Sequence, residues 1–251
     1  MKNIAIIFAG GTGKRMGIND VPKQFLEISG KPIIIHTIEK FENHTEIDEI
    51  IVVCVKKWIS YLKDLLQKND IRKVRAIVCG GETGQDSIYN GLKEAEKYSA
   101  ASDIVLIHDG VRPLIDEDLI SRNIRDTKLH GNSITATKCN ETLIISKNGV
   151  DVDAVPLRRN SYNAQAPQAF KLGEIISAHE EMRMVNPDYD DIPDSCTLMI
   201  KSGNPVFLTE GVRGNIKITN PIDVYIFEAW LKYKQNGEKA TGIPRGLYIN
   251  E

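Results

Sequence analysis

Residues 4–17 read IAIIFAGGTGKRMG, and this stretch decides the fold. Its first half is a continuous apolar run rich in β-branched isoleucine, which is typical of a strand buried on both faces of a sheet. Three glycines within 10–13 end the run at once and indicate a tight loop, which the cations Lys14 and Arg15 follow. The stretch therefore predicts a buried strand that opens into a loop whose backbone N–H groups can approach an anion closely.

Apolar runs of this kind recur along the first two-thirds of the chain and alternate with segments of helical periodicity. The predicted strands are 4–8, 49–55, 74–79, 103–108 and 133–137, and the predicted helices are 33–43, 59–68, 87–98 and 117–129. Strands that alternate with helices favour a parallel sheet, because parallel strands need long crossover connections. We therefore predict an α/β fold with a doubly wound, mostly parallel sheet, and a ligand site just after Phe8, Cys79 and His108.

The last third of the chain departs from this alternation. Short pieces between about 140 and 163 flank Lys147-Asn148-Gly149, a hairpin-tip pattern, and predict a projecting β-arm. The elements predicted after the arm are a helix at 171–184, an acidic loop at 188–194, strands near 205–209 and 215–219, and a helix at 221–234. Because no repeat or linker composition appears, we predict a single domain over 1–235 and a surface tail over 236–251.

The composition argues against several classes of protein. The 251 residues include 32 Lys and Arg against 34 Asp and Glu, a formal net charge of −2, so no global positive field attracts nucleic acid or an anionic membrane. The apolar runs are far shorter than the roughly 20 residues that cross a bilayer, and the N-terminus lacks a signal-peptide pattern, so we expect a cytoplasmic protein. The scattered cysteines and histidines form no CxxC or HExxH pattern, which argues against a disulfide framework and structural zinc.

The glycine-rich loop matches neither of the two common phosphate-binding patterns. A Walker A loop needs Ser or Thr after Gly13-Lys14, where this chain has Arg15. The dinucleotide fingerprint needs a glycine where this chain has Met16, which disfavours an NAD-dependent dehydrogenase. The loop alone leaves open an ordinary strand-to-helix turn with solvated cations.

A second motif, Pro22-Lys23-Gln24-Phe25, adds a third cation one loop length away. AGGTGKRMG at 9–17 followed by this motif resembles the signature of the sugar-phosphate nucleotidyltransferases, in particular the cytidylyltransferases that make CDP-methylerythritol or CDP-ribitol. The later matching motifs are GGE at 80–82 with Asp86-Ser87, HDGVRP at 108–113, Asn140-Glu141-Thr142, Arg158 before APQ at 166–168, and NIKIT at 215–219. The resemblance extends from about residue 2 to residue 232.

The resemblance implies a Rossmann-like nucleotidyltransferase fold, CTP and a polyol phosphate as substrates, and a homodimer in which the arm reaches the neighbouring subunit. Arg15, Lys23 and Lys217 would be catalytic, since charge grows on the transferred phosphoryl group and the anionic acceptor needs no general base. Asp109 would hold Mg²⁺. The implied nucleotide contacts are Ala9, Gly10, Gly11, Thr12, Gly13, Gly81, Glu82, Ser87 and Asp109, and the implied acceptor contacts are Arg112, Thr142, Arg158 and Asp194.

Several of these residues also have a structural interpretation. The residue types leave open that Arg112 only fixes its loop through a salt bridge and that Lys217 is a solvated strand residue. We expect His108 to be a structural hydrogen-bonding residue, because this chemistry needs no base.

The chain departs from the family pattern at three positions. Gly84 stands where the second loop usually carries an arginine, and Ala166 and Pro193 stand where threonines are usual. The departures fall mainly on the acceptor side, so they bear on which polyol phosphate is used. Because the loop with Thr12 and Val111 in HDGVRP resemble the ribitol enzymes, we expect D-ribitol 5-phosphate as the acceptor, giving CDP-ribitol for a cell-surface polymer, with 2-C-methyl-D-erythritol 4-phosphate of isoprenoid precursor synthesis as the alternative. A nucleotide-binding protein without turnover is the alternative from another functional class.

Overall fold

The first strand, β1 (Asn3–Ala9), lies in the interior of the sheet, because its side chains from Ile4 onward are apolar on both faces. In the computed structural model, which describes residues 1–10 and 21–236, Ile4 and Ile6 pack on one side of the sheet. Ala5 and Ile7 pack on the other side. The predicted buried strand is confirmed.

The strands and helices predicted for the first two-thirds of the chain are found close to their predicted bounds, and the short strands β2 and β3 are additional. The strands are β2 (Glu27–Ile28), β3 (Lys31–Pro32), β4 (Glu49–Cys54), β5 (Val74–Cys79), β6 (Ile104–Asp109), β7 (Asn132–Lys138), β8 (Tyr162–Lys171) and β9 (Leu208–Glu210). The helices are α1 (Ile33–Glu42), α2 (Ile59–Lys68), α3 (Gly84–Glu96), α4 (Glu117–His130), α5 (Leu172–Val185), α6 (Ser195–Lys201) and α7 (Pro221–Asn236).

Within the described residues, seven strands form one sheet in the order β5-β4-β1-β6-β8-β7-β9. Strands β5, β4, β1 and β6 are parallel neighbours, as are β7 and β9, whereas β8 runs antiparallel to both of its neighbours. Residues of α1, α2 and α4 cover one face, and residues of α3, α5 and α6 cover the other. The predicted doubly wound, mostly parallel α/β sheet is therefore confirmed.

Strand β8 was not among the predicted strands. Its sequence contains Pro167, and a proline argues against a strand that is hydrogen-bonded on both sides. The structure accommodates the proline in an irregularity, because Ile134 pairs with Gln168 whereas Ala136 pairs with Ala164. The carbonyl of Pro167 accepts a hydrogen bond from Oγ1 of Thr135 at 2.7 Å.

The predicted strand at 215–219 is wrong, and the strand near 205–209 is confined to β9. Segment 215–219 is irregular, because its N–H groups bond to nearby loops and turns instead of a neighbouring strand. The acidic loop is followed by α6, a helix that was not predicted and whose first turn is capped by Asp194. A smaller core formed by Val111, Ile218, Phe227 and their neighbours holds α7 against α1 and the loop after β6.

In the arm between β7 and β8, where two short strands were predicted, the strand pairing is limited to an isolated bridge between Ile145 and Ala154. Gly149 at its tip has φ +74°, a conformation that favours glycine, so the predicted tip is confirmed. Several apolar side chains of the arm are exposed, among them Ile144 (62%) and Val150 (84%). The arm thus has little core of its own.

Helix α7 continues to Asn236, one residue into the predicted tail, and the rest of that tail lies outside the described residues. No helix within 1–10 and 21–236 is both long and apolar enough to cross a membrane.

Candidate active site

The carboxyl ends of four parallel strands meet at one edge of the sheet. Phe8 pairs with Asp109, Ala9 pairs with Cys54, and Cys54 pairs with Cys79. The segments that follow β1, β5 and β6 therefore lie together, as predicted. A Cβ atom built on Gly10 would lie 3.0 Å from Oγ of Ser87, so a side chain at position 10 would crowd the second loop where the chain leaves β1.

Asp109, the last residue of β6, is the centre of a charged cluster at this edge. Its Oδ1 lies 2.6 Å from Nζ of Lys217, and its Oδ2 lies 3.1 Å from Nε of Arg112. The side chains of Asp109 and Arg112 are both largely buried, whereas that of Lys217 is 38% exposed. One carboxylate thus holds two cations, and one of the two cations remains accessible.

The charges in this cluster fix the protonation state of Asp109. Burial favours a higher pKa for this carboxyl, but the positive charges of Lys217 and then Arg112 outweigh burial and lower its pKa below the usual value. Asp109 is therefore a carboxylate at neutral pH. The cluster of Asp109, Lys217 and Arg112 carries a net positive charge, which suits an anionic ligand.

His108 is fully buried beside this cluster, and its Nε2 lies 3.1 Å from the carbonyl oxygen of Arg112. Burial lowers the pKa of His108 to about 4, although the negative charge of Asp109 works in the opposite direction. The imidazole is therefore neutral at physiological pH and connects strand β6 to the following loop. This agrees with the expected structural role of His108.

The second loop begins directly after β5 and leads into α3. The Oγ atom of Ser87 accepts a hydrogen bond from the N–H of Gly81 at 3.0 Å and donates one to the carbonyl of Thr83 at 3.0 Å. A Cβ atom on Gly81 would lie only 2.2 Å from Cβ of Asp86, so this position requires glycine. Glu82 is exposed at the same loop. Ser87 thus shapes the loop, and its contact with a nucleotide base remains a prediction.

Asp86 stabilises the same loop from inside α3. Its carboxylate accepts hydrogen bonds from the N–H and hydroxyl of Thr83, which forms a capping box at the start of the helix. Arg183 on α5 donates to the other oxygen of Asp86 at 2.7 Å. Arg183 is a residue that the sequence analysis did not single out, because its partner lies on a different helix.

The Pro22-Lys23-Gln24-Phe25 motif folds into a short 3-10 turn at Lys23–Phe25, packed under the end of β1. Nε2 of Gln24 donates to the carbonyl oxygen of Ala9 at 2.7 Å, and the ring of Phe25 stacks on Trp58 with ring centroids 4.8 Å apart. The amide and the aromatic ring therefore anchor the turn, and they place the half-buried Lys23 near the end of β1. Burial raises the pKa of Asp223 at the start of α7, but hydrogen bonds from the N–H groups of Asn220 and Thr219 outweigh burial and lower that pKa. The positive charge of Lys23 lowers the pKa of Asp223 further.

A cavity of about 170 Å³ opens beside the charged cluster. Its lining residues are Phe8, Gly84, Ile88, Ile107, Asp109, Arg112, Ala164, Gln165, Ala166, Gln168, Pro193, Asp194, Ser195 and Lys217. All three positions that depart from the family pattern are in this lining. A side chain at position 84 would meet open space, since nothing lies within 4 Å of a Cβ atom built on Gly84.

Asp194 lines the cavity, but both of its oxygens are engaged. Oδ1 accepts from the N–H and hydroxyl of Thr197 and caps α6, and Oδ2 accepts from Nε2 of Gln168 at 2.9 Å. Asp194 therefore fixes α6 against β8, and a contact with the acceptor remains a prediction.

The arm residues Thr142 and Arg158 do not line this cavity in the described part of the chain. Both side chains are exposed, and Arg158 lies in a surface depression at the base of the arm with Lys138, Arg159 and Arg213. The structure of one chain therefore brings Lys23, Asp109, Arg112, Asp194 and Lys217 to the carboxyl edge of the sheet and leaves the two arm residues elsewhere. Gly11, Thr12, Gly13 and Arg15 lie outside the described residues.

The residues at the cavity fit Mg²⁺ only if phosphates supply most of its ligands. No group of three or more His, Cys, Asp or Glu that could hold a metal ion occurs within residues 1–10 and 21–236. Asp109 provides a single carboxylate, and its oxygens retain lone pairs beyond those used by Lys217 and Arg112. One carboxylate together with substrate phosphates is a common way to bind Mg²⁺.

Comparison with known proteins places these features in a family. The IspD family model, described as 2-C-methyl-D-erythritol 4-phosphate cytidylyltransferase, matches residues 3–233. The ribitol-5-phosphate cytidylyltransferase of Vibrio parahaemolyticus is 49% identical over 93% of this chain and 98% of its own length. The 2-C-methyl-D-erythritol 4-phosphate cytidylyltransferase of Clostridium botulinum is 38% identical over 92% of this chain and 98% of its own length.

A solved structure supports the same assignment. The crystal structure of 4-diphosphocytidyl-2C-methyl-D-erythritol synthase from Anaerococcus prevotii matches with a TM-score of 0.77 and 31% identity, covering 92% of this chain and 96% of that chain. Both the sequence and the fold thus agree over nearly the full length of the described domain. The chain belongs to the IspD family of cytidylyltransferases.

Proposed function

We propose that the protein transfers the cytidylyl group of CTP to D-ribitol 5-phosphate, forming CDP-ribitol and releasing pyrophosphate. The observation that carries this proposal is the cluster of Asp109, Lys217 and Arg112 at the carboxyl edge of the sheet, beside a cavity. Its net positive charge and its single carboxylate suit a reaction between two phosphate groups. The 49% identity to a ribitol-5-phosphate cytidylyltransferase supports the choice of acceptor.

In the proposed reaction, a phosphate oxygen of the acceptor attacks the α-phosphorus of CTP. A P–O bond forms to the acceptor, and the bond between the α-phosphorus and the bridging oxygen to the β-phosphate breaks, so that pyrophosphate leaves with that electron pair. The attacking oxygen is already anionic, so no residue needs to remove a proton. Stabilisation of negative charge on the α-phosphate is then the main task of the protein.

The accessible cations of the site suit this task. Lys217 is held by Asp109 but keeps 38% of its side chain exposed, so its ammonium can also contact a phosphate oxygen. Lys23 lies on a turn fixed to the end of β1. Arg15 lies outside the described residues and is included because it follows the glycine-rich stretch in the sequence. We assign these three cations to the transferred phosphate. When bound, Mg²⁺ held by Asp109 would neutralise charge shared between the phosphates.

The acceptor assignment rests on the lining of the cavity as well as on the relatives. Ala166 and Pro193 provide neither a hydroxyl nor a threonine methyl group to the wall of the cavity. A linear polyol has hydroxyl groups and no branch methyl group that must be packed, so its binding affinity depends less on threonine methyl groups in this wall. 2-C-methyl-D-erythritol 4-phosphate, the acceptor in the family description, is the competing candidate.

We further propose that the protein acts as a homodimer through its arm. The exposed apolar side chains of the arm, including Ile144 and Val150, favour burial against another chain. Arg158 and Thr142 would then reach the cavity of the neighbouring subunit, where Arg158 adds a cation for the acceptor phosphate. We expect the enzyme to work in the cytoplasm, because CTP is an intracellular metabolite.

The proposed function is tested by incubating the protein with CTP, Mg²⁺ and a panel of ribitol, methylerythritol and glycerol phosphates. We expect mass spectrometry to detect CDP-ribitol together with pyrophosphate. Tight CTP binding without product from any acceptor would instead indicate a nucleotide-binding protein without turnover.

A further inference from the structure

Asn215 lies in the irregular segment that carries Lys217 and is completely buried. Burial of an amide side chain costs free energy unless the amide forms hydrogen bonds. The contacts of Asn215 therefore show what the burial achieves.

Asn215 connects two parts of the site through separate groups. Its side-chain Nδ2 donates to the carbonyl oxygen of Ala166 on β8 at 2.7 Å. Its own main-chain carbonyl accepts from Nη1 of Arg112 at 2.6 Å. The first contact requires an amide side chain, whereas any residue at position 215 provides the second.

The same segment is fixed again on the other side of Lys217. The N–H of Ile218 donates to the carbonyl oxygen of Val111 at 2.9 Å, and the side chain of Ile218 is fully buried. Lys217 is therefore held between an anchor to β8 through Asn215 and an anchor to the loop after β6 through Ile218. This segment has no ladder of strand hydrogen bonds, so these anchors determine where the backbone of Lys217 lies.

We propose that Asn215 is a positioning residue, which sets the location of the Lys217 ammonium relative to Asp109 by fixing the segment to β8. The proposal rests on the proposed function, because the role of Lys217 at the transferred phosphate is part of it. Asn215 itself contacts no substrate in this account. A long lysine side chain has many conformations, and a small backbone displacement is enough to reduce catalysis strongly.

The test uses the full-length chain and a double-mutant cycle. Asn215→Ala removes the amide while the main-chain contact with Arg112 stays available. The control is Asn132→Ala, which removes another buried amide; this amide donates to the carbonyl of Pro205 at 2.9 Å and also accepts from the N–H of Phe207 at 3.0 Å. Asn215→Ser serves as a second variant if Asn215→Ala does not fold. Each change is also made in the Lys217→Ala background, and thermal unfolding, kcat and KM are measured for every variant.

We expect Asn215→Ala to lower kcat about tenfold or more while the KM for CTP changes less than about threefold. In the Lys217→Ala background, the same change should lower kcat less than about threefold, because the residue through which it acts is already gone. Asn132→Ala should lower the melting temperature by at least as much as Asn215→Ala, because it removes two side-chain hydrogen bonds, and it should leave kcat nearly unchanged.

Equal losses of kcat from Asn215→Ala in both backgrounds, or a kcat loss no larger than that of Asn132→Ala, would overturn the positioning role. Failure of the proposed function is recognised separately. In that case the unmodified protein itself would make no cytidylyl product, and the positioning role, which rests on that reaction, would be overturned with it.

Discussion

The ammonium of Lys217 lies 2.6 Å from Oδ1 of Asp109, although Lys217 belongs to an irregular segment near the C-terminus and Asp109 ends a central strand. The carboxylate neutralises part of the lysine charge and holds the ammonium at the carboxyl edge of the sheet. Because Arg112 occupies the other oxygen of the same carboxylate, the cluster stays positive. This arrangement explains how a chain with a net charge of −2 can offer a local site for phosphates.

Lys23→Ala should lower kcat more than about tenfold, because a cation at the transferred phosphate stabilises charge that grows in the transition state. The buried Gln24 and Phe25 anchor the turn, so the fold should remain intact. Lys56→Ala, which removes an exposed lysine from the turn after β4, is the matched control and should retain the activity of the unmodified protein. The measurement is kcat from steady-state kinetics. A folded Lys23→Ala variant with a near-normal kcat would show that Lys23 does not contact the transferred phosphate.

Asp109→Asn should raise the Mg²⁺ concentration that gives half-maximal activity several-fold, because an amide oxygen is a poorer ligand for a hard dication than a carboxylate. The measurement is a Mg²⁺ titration at saturating CTP. Asp116→Asn is the control, since asparagine caps a helix as well as aspartate does and Asp116 caps α4 away from the cavity. An unchanged Mg²⁺ requirement in Asp109→Asn would assign the metal to other residues.

Mixing the inactive variants Lys23→Ala and Arg158→Ala should restore part of the activity if Arg158 completes the site of the neighbouring subunit. Random exchange makes half of the dimers hybrid, and each hybrid then has one intact site, so recovery to about a quarter of the unmodified activity is expected. Subunit exchange is verified with two differently tagged chains. Absence of recovery after verified exchange would argue against a shared site.

Stability should fall as the pH decreases from about 6.5 towards 4. Burial lowers the pKa of His179 to about 3, with a smaller contribution from the charge of Arg183, and the pKa of His108 is also lowered, to about 4. Both imidazoles bind protons more readily in the unfolded chain, so unfolding takes up protons in this range and stability rises with pH.

For each of these two histidines, the loss of unfolding free energy between pH 7 and pH 5 is about 2 kcal/mol. Urea unfolding of His179→Gln at the two pH values should show a smaller pH-dependent loss than the unmodified protein. His130→Gln, at the exposed end of α4, provides the control. The same pH dependence in the unmodified protein and in His179→Gln would contradict a neutral, buried His179.

The sequence predicted the central part of the fold because apolar strands and amphipathic helices leave local patterns. Strand β8 left no such pattern, since Pro167 is tolerated only through an irregular register with β7. The strand order depends on contacts between distant segments, and periodicity within a segment does not reveal it.

The site was predictable where a motif carries its own chemistry, as at Asp109 and Lys217. Asn215 was quoted within a motif but given no role, because its partners are a main-chain carbonyl on β8 and a side chain after β6. Gln24 was likewise quoted within a motif without a role, and Arg183 was not singled out, since each acts on a group that is remote in the sequence. Such residues become visible only when the chain is folded.

The most direct test of the account is the ratio of kcat/KM for D-ribitol 5-phosphate to that for 2-C-methyl-D-erythritol 4-phosphate, measured at a fixed concentration of CTP. One methyl group in a binding pocket contributes about 1–3 kcal/mol, so we expect ribitol phosphate to be preferred by about tenfold to a hundredfold, with detectable activity on the other acceptor. Equal values, or a higher value for methylerythritol phosphate, would contradict the proposed acceptor.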